Sequence, residues 1–132
     1  MQEKVLNAIK FRFMREPVKD KGRLEHIISA INNVLEYTNG ISHDEMLANK
    51  ILCHAVAYNV QIVGEAVYRL STEFKENHNE IPWRDVVGMR HILVHDYYTV
   101  DLEVLWNVVQ EDLPPFKQLI ETYLSEFEKE KD

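Results

Sequence analysis

From Arg90 to Tyr98 the chain reads Arg-His-Ile-Leu-Val-His-Asp-Tyr-Tyr, which places an arginine, two histidines, an aspartate and two tyrosines within nine residues. A histidine titrates near neutral pH and can take up or deliver a proton. An arginine grips a phosphate by two parallel hydrogen bonds and stabilises the charge that develops on it. A tyrosine can position a substrate or donate a hydrogen bond. These three types close together suit metal-free cleavage of an RNA phosphodiester. From spacing alone, a satisfied polar cluster in a helix bundle remains the competing reading.

Other chemistries fit less well. His91 and His95 stand at i,i+4, a spacing that lets two imidazoles share one metal ion. However, Ile92 follows His91 where a zinc-protease motif has glutamate, and only Asp96 is near enough in sequence to add a ligand. No metal and no cofactor is therefore expected. Cys53 falls inside a helical stretch and no serine motif accompanies the histidines, so a covalent nucleophile is not expected either.

A helical wheel advances by about 100° per residue and shows what the elements must do. With Arg90 at the origin, Val86 and Leu93 lie to one side, Val87 and Val94 to the other, and Trp83 and Tyr97 near the origin. Arg90 thus sits in the middle of an apolar arc, where a charge needs a partner or an anionic ligand. His95 falls about 140° away on an unbroken helix. To work with Arg90 it needs the helix to end nearby, or a second copy of the chain.

The remaining segments read as helical scaffold. Residues 1–19 form an N-terminal extension, with Val5, Leu6, Ile9 and Phe13 spaced for a short helix, and Met14 an alternative start. Leu24, Ile27, Ile28, Ile31, Val34 and Leu35 make an apolar stripe over 23–38, ended by Gly40. Ser42 to Glu45 is a capping box for a short helix, in which His43 reads as a surface residue. A long central helix is expected over 51–74, with Leu52, Val56, Asn59, Val63, Ala66, Leu70 and Phe74 along one seam. Asn59 could fix register or bond a neighbouring helix, or it could face the Arg90 site. Glu65 could pair with Arg69 at i,i+4, or instead with Arg90.

After the polar loop Asn77–Glu80, Pro82 opens a helix carrying the motif to about Tyr98. Asp101 caps the next helix, Pro114-Pro115 is expected to end or kink it, and Phe116 to Phe127 supply the last amphipathic stripe. A helical domain over 20–128 is expected, then a charged tail over 129–132 that frays. With no convincing strand alternation, the fold class is an all-α, up-and-down bundle of five or six helices.

Composition narrows the function classes. The 132 residues suffice for one domain with a real core, and 45% hydrophobic with 28% charged residues is ordinary for a globular protein. No apolar run approaches a membrane span and no signal peptide is evident, so a cytoplasmic protein is expected. The single Cys53 allows no internal disulfide. A net charge of −7 argues against a broad basic nucleic-acid surface, yet leaves room for a small basic pocket.

Arg90, four residues, His95, one residue, Tyr97 matches the R-x4-6-H-x-Y pattern of HEPN-domain ribonucleases. The approach Ile81–Arg90, the continuation Val100–Trp106 with Asp112-Leu113-Pro114, and the central stretch Asn59–Ala66 resemble the HepT-like toxin family in particular. The resemblance covers roughly residues 20–125 and leaves residues 1–16 outside. It implies a HEPN-like helical fold and a homodimer with motif helices near the two-fold axis. It also implies metal-independent RNA cleavage and a minimal nucleotidyltransferase antitoxin that silences the toxin by adding AMP to the motif tyrosine. Carried over by position, Arg90 would hold phosphate, His95 would be the acid–base residue and Tyr97 would accept AMP. Asn59 and Glu65 are candidates for supporting that site. A non-catalytic module that binds a nucleotide or its transferase partner remains the alternative.

Overall fold

The computed structural model describes residues 2–13 and 18–130, and among them there is no β-strand. Helix α1 covers Gln2–Phe13, α2 Asp20–Thr38, α3 His43–Ala48, α4 Lys50–Arg69, α5 Thr72–Asn77, α6 Trp83–His95, α7 Leu102–Asn107 and α8 Leu113–Glu130. A 3-10 turn, Tyr97–Thr99, follows α6, and a π-helical turn, Val108–Asp112, joins α7 to α8. The all-α class holds. The helices outnumber the expected five or six because short α3, α5 and α7 bridge the long ones.

Helix α4 is the central rod, packed against α2 on one side and α6 on the other, while α8 closes against α2. The expected stripes supply the core: Leu24, Ile27, Ile31 and Val34 from α2 meet Val56, Val60, Val63 and Val67 from α4, all buried. Ile120 and Tyr123 of α8 complete it. No helix among the described residues is long and apolar enough to cross a membrane.

The helix ends follow local chemistry. Gly40 takes a positive φ of 74°, the left-handed conformation that turns the chain out of α2. Ser42 accepts a hydrogen bond from Glu45 N at 3.1 Å and Asn49 one from Leu52 N at 3.0 Å, which cap α3 and α4. Asp101 caps α7 through Glu103 N.

Four boundaries differ from expectation. The central helix stops at Arg69 instead of running to Phe74. Ser71 caps a new helix through Phe74 N, and Asp20 accepts hydrogen bonds from both Ser71 N and its hydroxyl. Helix α6 stops at His95, where Asp96 N closes the last turn on Ile92 O. Pro114 and Pro115 do not end a helix. They stand in a run of helical backbone continuous from α7, and the wide π turn just before them absorbs the misfit of their missing N–H groups. Helix α8 continues to Glu130, so residues 129 and 130 of the expected frayed tail are helical. Residues 131 and 132, like Met14, lie outside the described residues.

Candidate active site

Gly64 sets the approach of α6 to α4. A methyl group there would stand 2.3 Å from Arg90 Cβ and 3.2 Å from its Cα, so a hydrogen is what lets the two helices meet at this point. Arg90 therefore enters the α4–α6 seam by its backbone, with Trp83 and Leu93 of its own helix buried in the core beside it.

The charge finds its partner in Glu65. Arg90 Nε lies 2.7 Å from Glu65 Oε2, and Arg69 Nε donates to Glu65 Oε1 at 3.1 Å. Both atoms of the Arg90 contact are buried and have no other polar partner among the described residues. The guanidinium carbon also stands 5.6 Å from the centre of the Tyr68 ring, within cation–π range. Burial disfavours charge on Glu65, but the two arginines outweigh it and hold the carboxyl below its usual range. The side chain of Arg90 remains 29% exposed, so its outer face is open to an anion.

His95 is the last residue of α6. It is exposed, it makes no hydrogen bond among the described residues, and its ring lies 4.6 Å from that of His91. Because α6 is unbroken from Arg90 to His95, the two stay about 140° apart, with Arg90 on the α4 side. The helix ends too late to bring them onto one face of a single chain.

The early end of α6 corrects the wheel positions of the tyrosines, since Tyr97 and Tyr98 lie in the 3-10 turn. Tyr97 is half-buried, with His54 edge-on at 5.3 Å, and burial pushes its phenol up. Tyr98 is fully exposed.

Asn59 is not brought to Arg90. Its side chain is buried between α2 and α4, where its Oδ1 accepts from Asn33 Nδ2 at 3.1 Å and its Nδ2 donates to Ala55 O at 2.9 Å. Of the two expectations for this residue, the structural one describes its position. Cys53 is buried, donates to Met46 O and has no part in the site. Among the described residues no three His, Cys, Asp or Glu side chains converge on a point suited to a metal ion.

Sequence reading assigned no role to Gly64 and Gln61, although both lie in the Asn59–Ala66 stretch, and none to Tyr68, His54 and Tyr58. The signal was present: 54, 58, 61, 65 and 68 form one stripe of α4 at alternating spacings of four and three, on the side turned from the core seam.

The sequence model of the family described as "Ribonuclease HepT-like" matches residues 27–123, a span that holds Gly64, Glu65, Arg90, His95 and Tyr97. The chain is 41% identical over 97 residues to "Probable ribonuclease HepT" of Thermococcus cleftensis, covering 74% of this chain and 88% of that one. It is 37% identical over 101 residues to "Putative RNase MJ1380" of Methanocaldococcus jannaschii, covering 76% and 93%. A third relative, from the same organism, is "Gamma-glutamylcyclotransferase and putative RNase MJ0434", 39% identical over 119 residues. That alignment covers 90% of this chain and 53% of the relative, so the chain spans about half its length. No solved structure matches the chain.

Proposed function

The chain belongs to the HepT-like ribonuclease family, and from that membership we propose that it is an RNA endonuclease, the toxin of a toxin–antitoxin pair. The observation that carries the reading is the contrast inside one helix. Arg90 is locked in place over Gly64 with its outer face open, while His95, five residues on, is exposed and its side chain makes no hydrogen bond among the described residues.

In the proposed reaction Arg90 binds the phosphate to be cut. The neighbouring ribose 2′-oxygen attacks phosphorus and the bond to the 5′-oxygen breaks. An imidazole takes the 2′-hydroxyl proton, and an imidazolium returns one to the leaving 5′-oxygen. The products are a 2′,3′-cyclic phosphate and a free 5′-hydroxyl. Because one chain keeps Arg90 and His95 on different faces, the reading includes a homodimer in which α6 faces its symmetry mate and each copy completes the other's site. Exposed Tyr68 and Val94, close to Arg90 on α4 and α6, suit such a contact.

Control belongs to the same proposal. A minimal nucleotidyltransferase antitoxin transfers AMP from ATP to Tyr97: the phenol oxygen bonds the α-phosphorus, the α–β anhydride bond breaks, pyrophosphate leaves, and a bulky phosphate stands in the cytoplasmic toxin's site. The raised phenol of Tyr97 makes it a poor nucleophile unaided, so the transferase must supply the base. The second reading, a nucleotide-binding module without cleavage, draws on the charge contact by which Glu65 already offsets Arg90.

His95 separates the two. Purified, unmodified protein should cut single-stranded RNA in EDTA and leave cyclic phosphate ends, with His95→Ala slower by about 10²-fold or more. Equal cutting by wild type and variant would point to a contaminating nuclease and leave nucleotide binding as the function.

A further inference from the structure

Beside the motif, α4 and the 3-10 turn enclose a surface pocket of about 260 Å³ that cleavage chemistry does not use. Ala57 and the buried Leu93 form its apolar floor, and Tyr58, Tyr97 and Tyr98 form its walls. Tyr58 is 64% exposed and Tyr98 wholly exposed, so two tyrosine rings from separate elements meet water across an apolar floor. Folding gains little from such an arrangement, whereas a flat aromatic ligand gains a stacking surface.

Two side chains supply hydrogen-bonding groups at the rim. Neither the Gln61 carboxamide nor the His54 imidazole makes a hydrogen bond among the described residues, although both line the pocket. A carboxamide donates and accepts side by side, which matches the paired donor and acceptor on the edge of a nucleobase, adenine above all. The pocket also lies near Arg90 along α4. One helical turn along α4 from Gln61 stands Glu65, the residue in contact with Arg90.

We propose that this pocket is a base-binding subsite, in which an unpaired RNA base stacks between Tyr58 and Tyr98, bonds Gln61 by its edge, and sets its phosphate on Arg90. The subsite rests on the ribonuclease reading for its role in choosing the cut, but its affinity for a base does not depend on chemistry. It makes the protein selective for single strands, because a paired base cannot enter. It also gives a preference for adenine at the nucleotide it holds.

Two exposed tyrosines make the test clean, since neither Tyr58→Ala nor Tyr98→Ala removes core contacts. Binding of fluorescein-labelled hexa-adenylate and hexa-uridylate RNA is measured alongside cleavage of a mixed-sequence single strand. Each tyrosine variant should weaken hexa-adenylate binding about tenfold and raise KM with little change in kcat, the scale of losing one stacked base. Gln61→Leu should erase the preference for hexa-adenylate over hexa-uridylate. Wild-type cleavage with all three variants unchanged in KM and base preference would overturn the subsite and leave the nuclease standing. No cleavage, but binding that weakens in the variants, would remove the nuclease and keep the subsite. A wild type that neither binds nor cuts would remove both.

Discussion

Two histidine-bearing regions at opposite ends of α6 are built from the same materials to different ends. At its start, His78 stacks on Phe74 at 4.1 Å and lies 4.3 Å from Tyr123. Its Nδ1 is 2.8 Å from Phe74 O and its Nε2 is 3.1 Å from Glu126 Oε2, while Trp83 Nε1 donates to His78 O at 2.9 Å. Tyr123 donates a hydrogen bond to Glu80. At the far end, the side chains of His95, Tyr98 and Gln61 make no hydrogen bond among the described residues, and Tyr98 is exposed. The first region spends its polar groups on itself and can only stabilise. The second keeps them available, and it lies where the family pattern falls. Saturation of hydrogen bonds, more than residue type, separates scaffold from candidate site in this chain.

Between the two regions α4 and α6 meet tightly at Gly64, and altering it should have the largest effect. Alanine is a better helix former than glycine by roughly 1 kcal/mol. Its methyl, however, would overlap Arg90 Cβ at 2.3 Å, and a contact with backbone-anchored atoms is relieved only by moving α6. Overpacking of this kind costs about 1–3 kcal/mol and outweighs the helix gain. Gly64→Ala should therefore lower Tm, and it should lower RNA cleavage by about 10²-fold, because a misplacement near 1 Å has that cost at a reacting centre. A variant with unchanged Tm and unchanged cleavage would show that the α4–α6 distance does not set the position of Arg90.

The closed region should behave oppositely. His78→Ala removes a stacked ring and leaves Glu126 without its partner, a loss of about 2 kcal/mol from stacking and hydrogen bonding together. Thermal unfolding should show the drop, while cleavage per folded molecule stays near wild type. If activity fell as steeply as it does for His95→Ala, the division between a stabilising end and a working end would fail.

That division was half legible in the sequence. The stripe spacings gave the long helices and their inward faces, because burial of apolar side chains fixes helix orientation with local information alone. Arg90 on an apolar arc demanded a counter-charge, and Glu65, one of two readings weighed for that residue, meets it. The rest depended on distant partners. His43 read as a surface residue, yet its Nε2 is 2.7 Å from Glu103 Oε2, sixty positions on, and its ring stands edge-on to Trp106. His78 read as part of a polar loop, and its partner Glu126 is 48 positions away. The break at Leu70 came from Asp20 reaching Ser71, again across the fold. Periodicity reports which face of a helix is buried, and it says nothing of which polar group will answer another from a remote element.

The smallest effect follows from protons. Hydrogen bonds to Glu103 first, and then to Asp44, raise the pKa of His43 above its ordinary value. At His78 burial works against the charge, but the bond to Phe74 O and the bond to Glu126 outweigh it, and the net direction is again upward. A histidine whose folded pKa exceeds its unfolded value binds its proton more tightly in the folded chain. Its contribution is complete below the unfolded value of about 6.5 and is lost as pH rises through the folded value. The lowered carboxyls of Glu65 and Glu80 work in the opposite sense, but their contribution is lost only as pH falls below the carboxylate range, outside this window. Tm should thus fall by a few degrees between pH 6 and pH 8, with the loss shared between the His78 cluster and the α3–α7 contact at His43. His78→Asn should flatten part of that slope, and His43→Asn the remainder. A Tm that holds level or rises over this range in the wild type would mean that neither histidine is charged in its bonded position, and the closed end of the bundle would then owe its stability to stacking and uncharged hydrogen bonds.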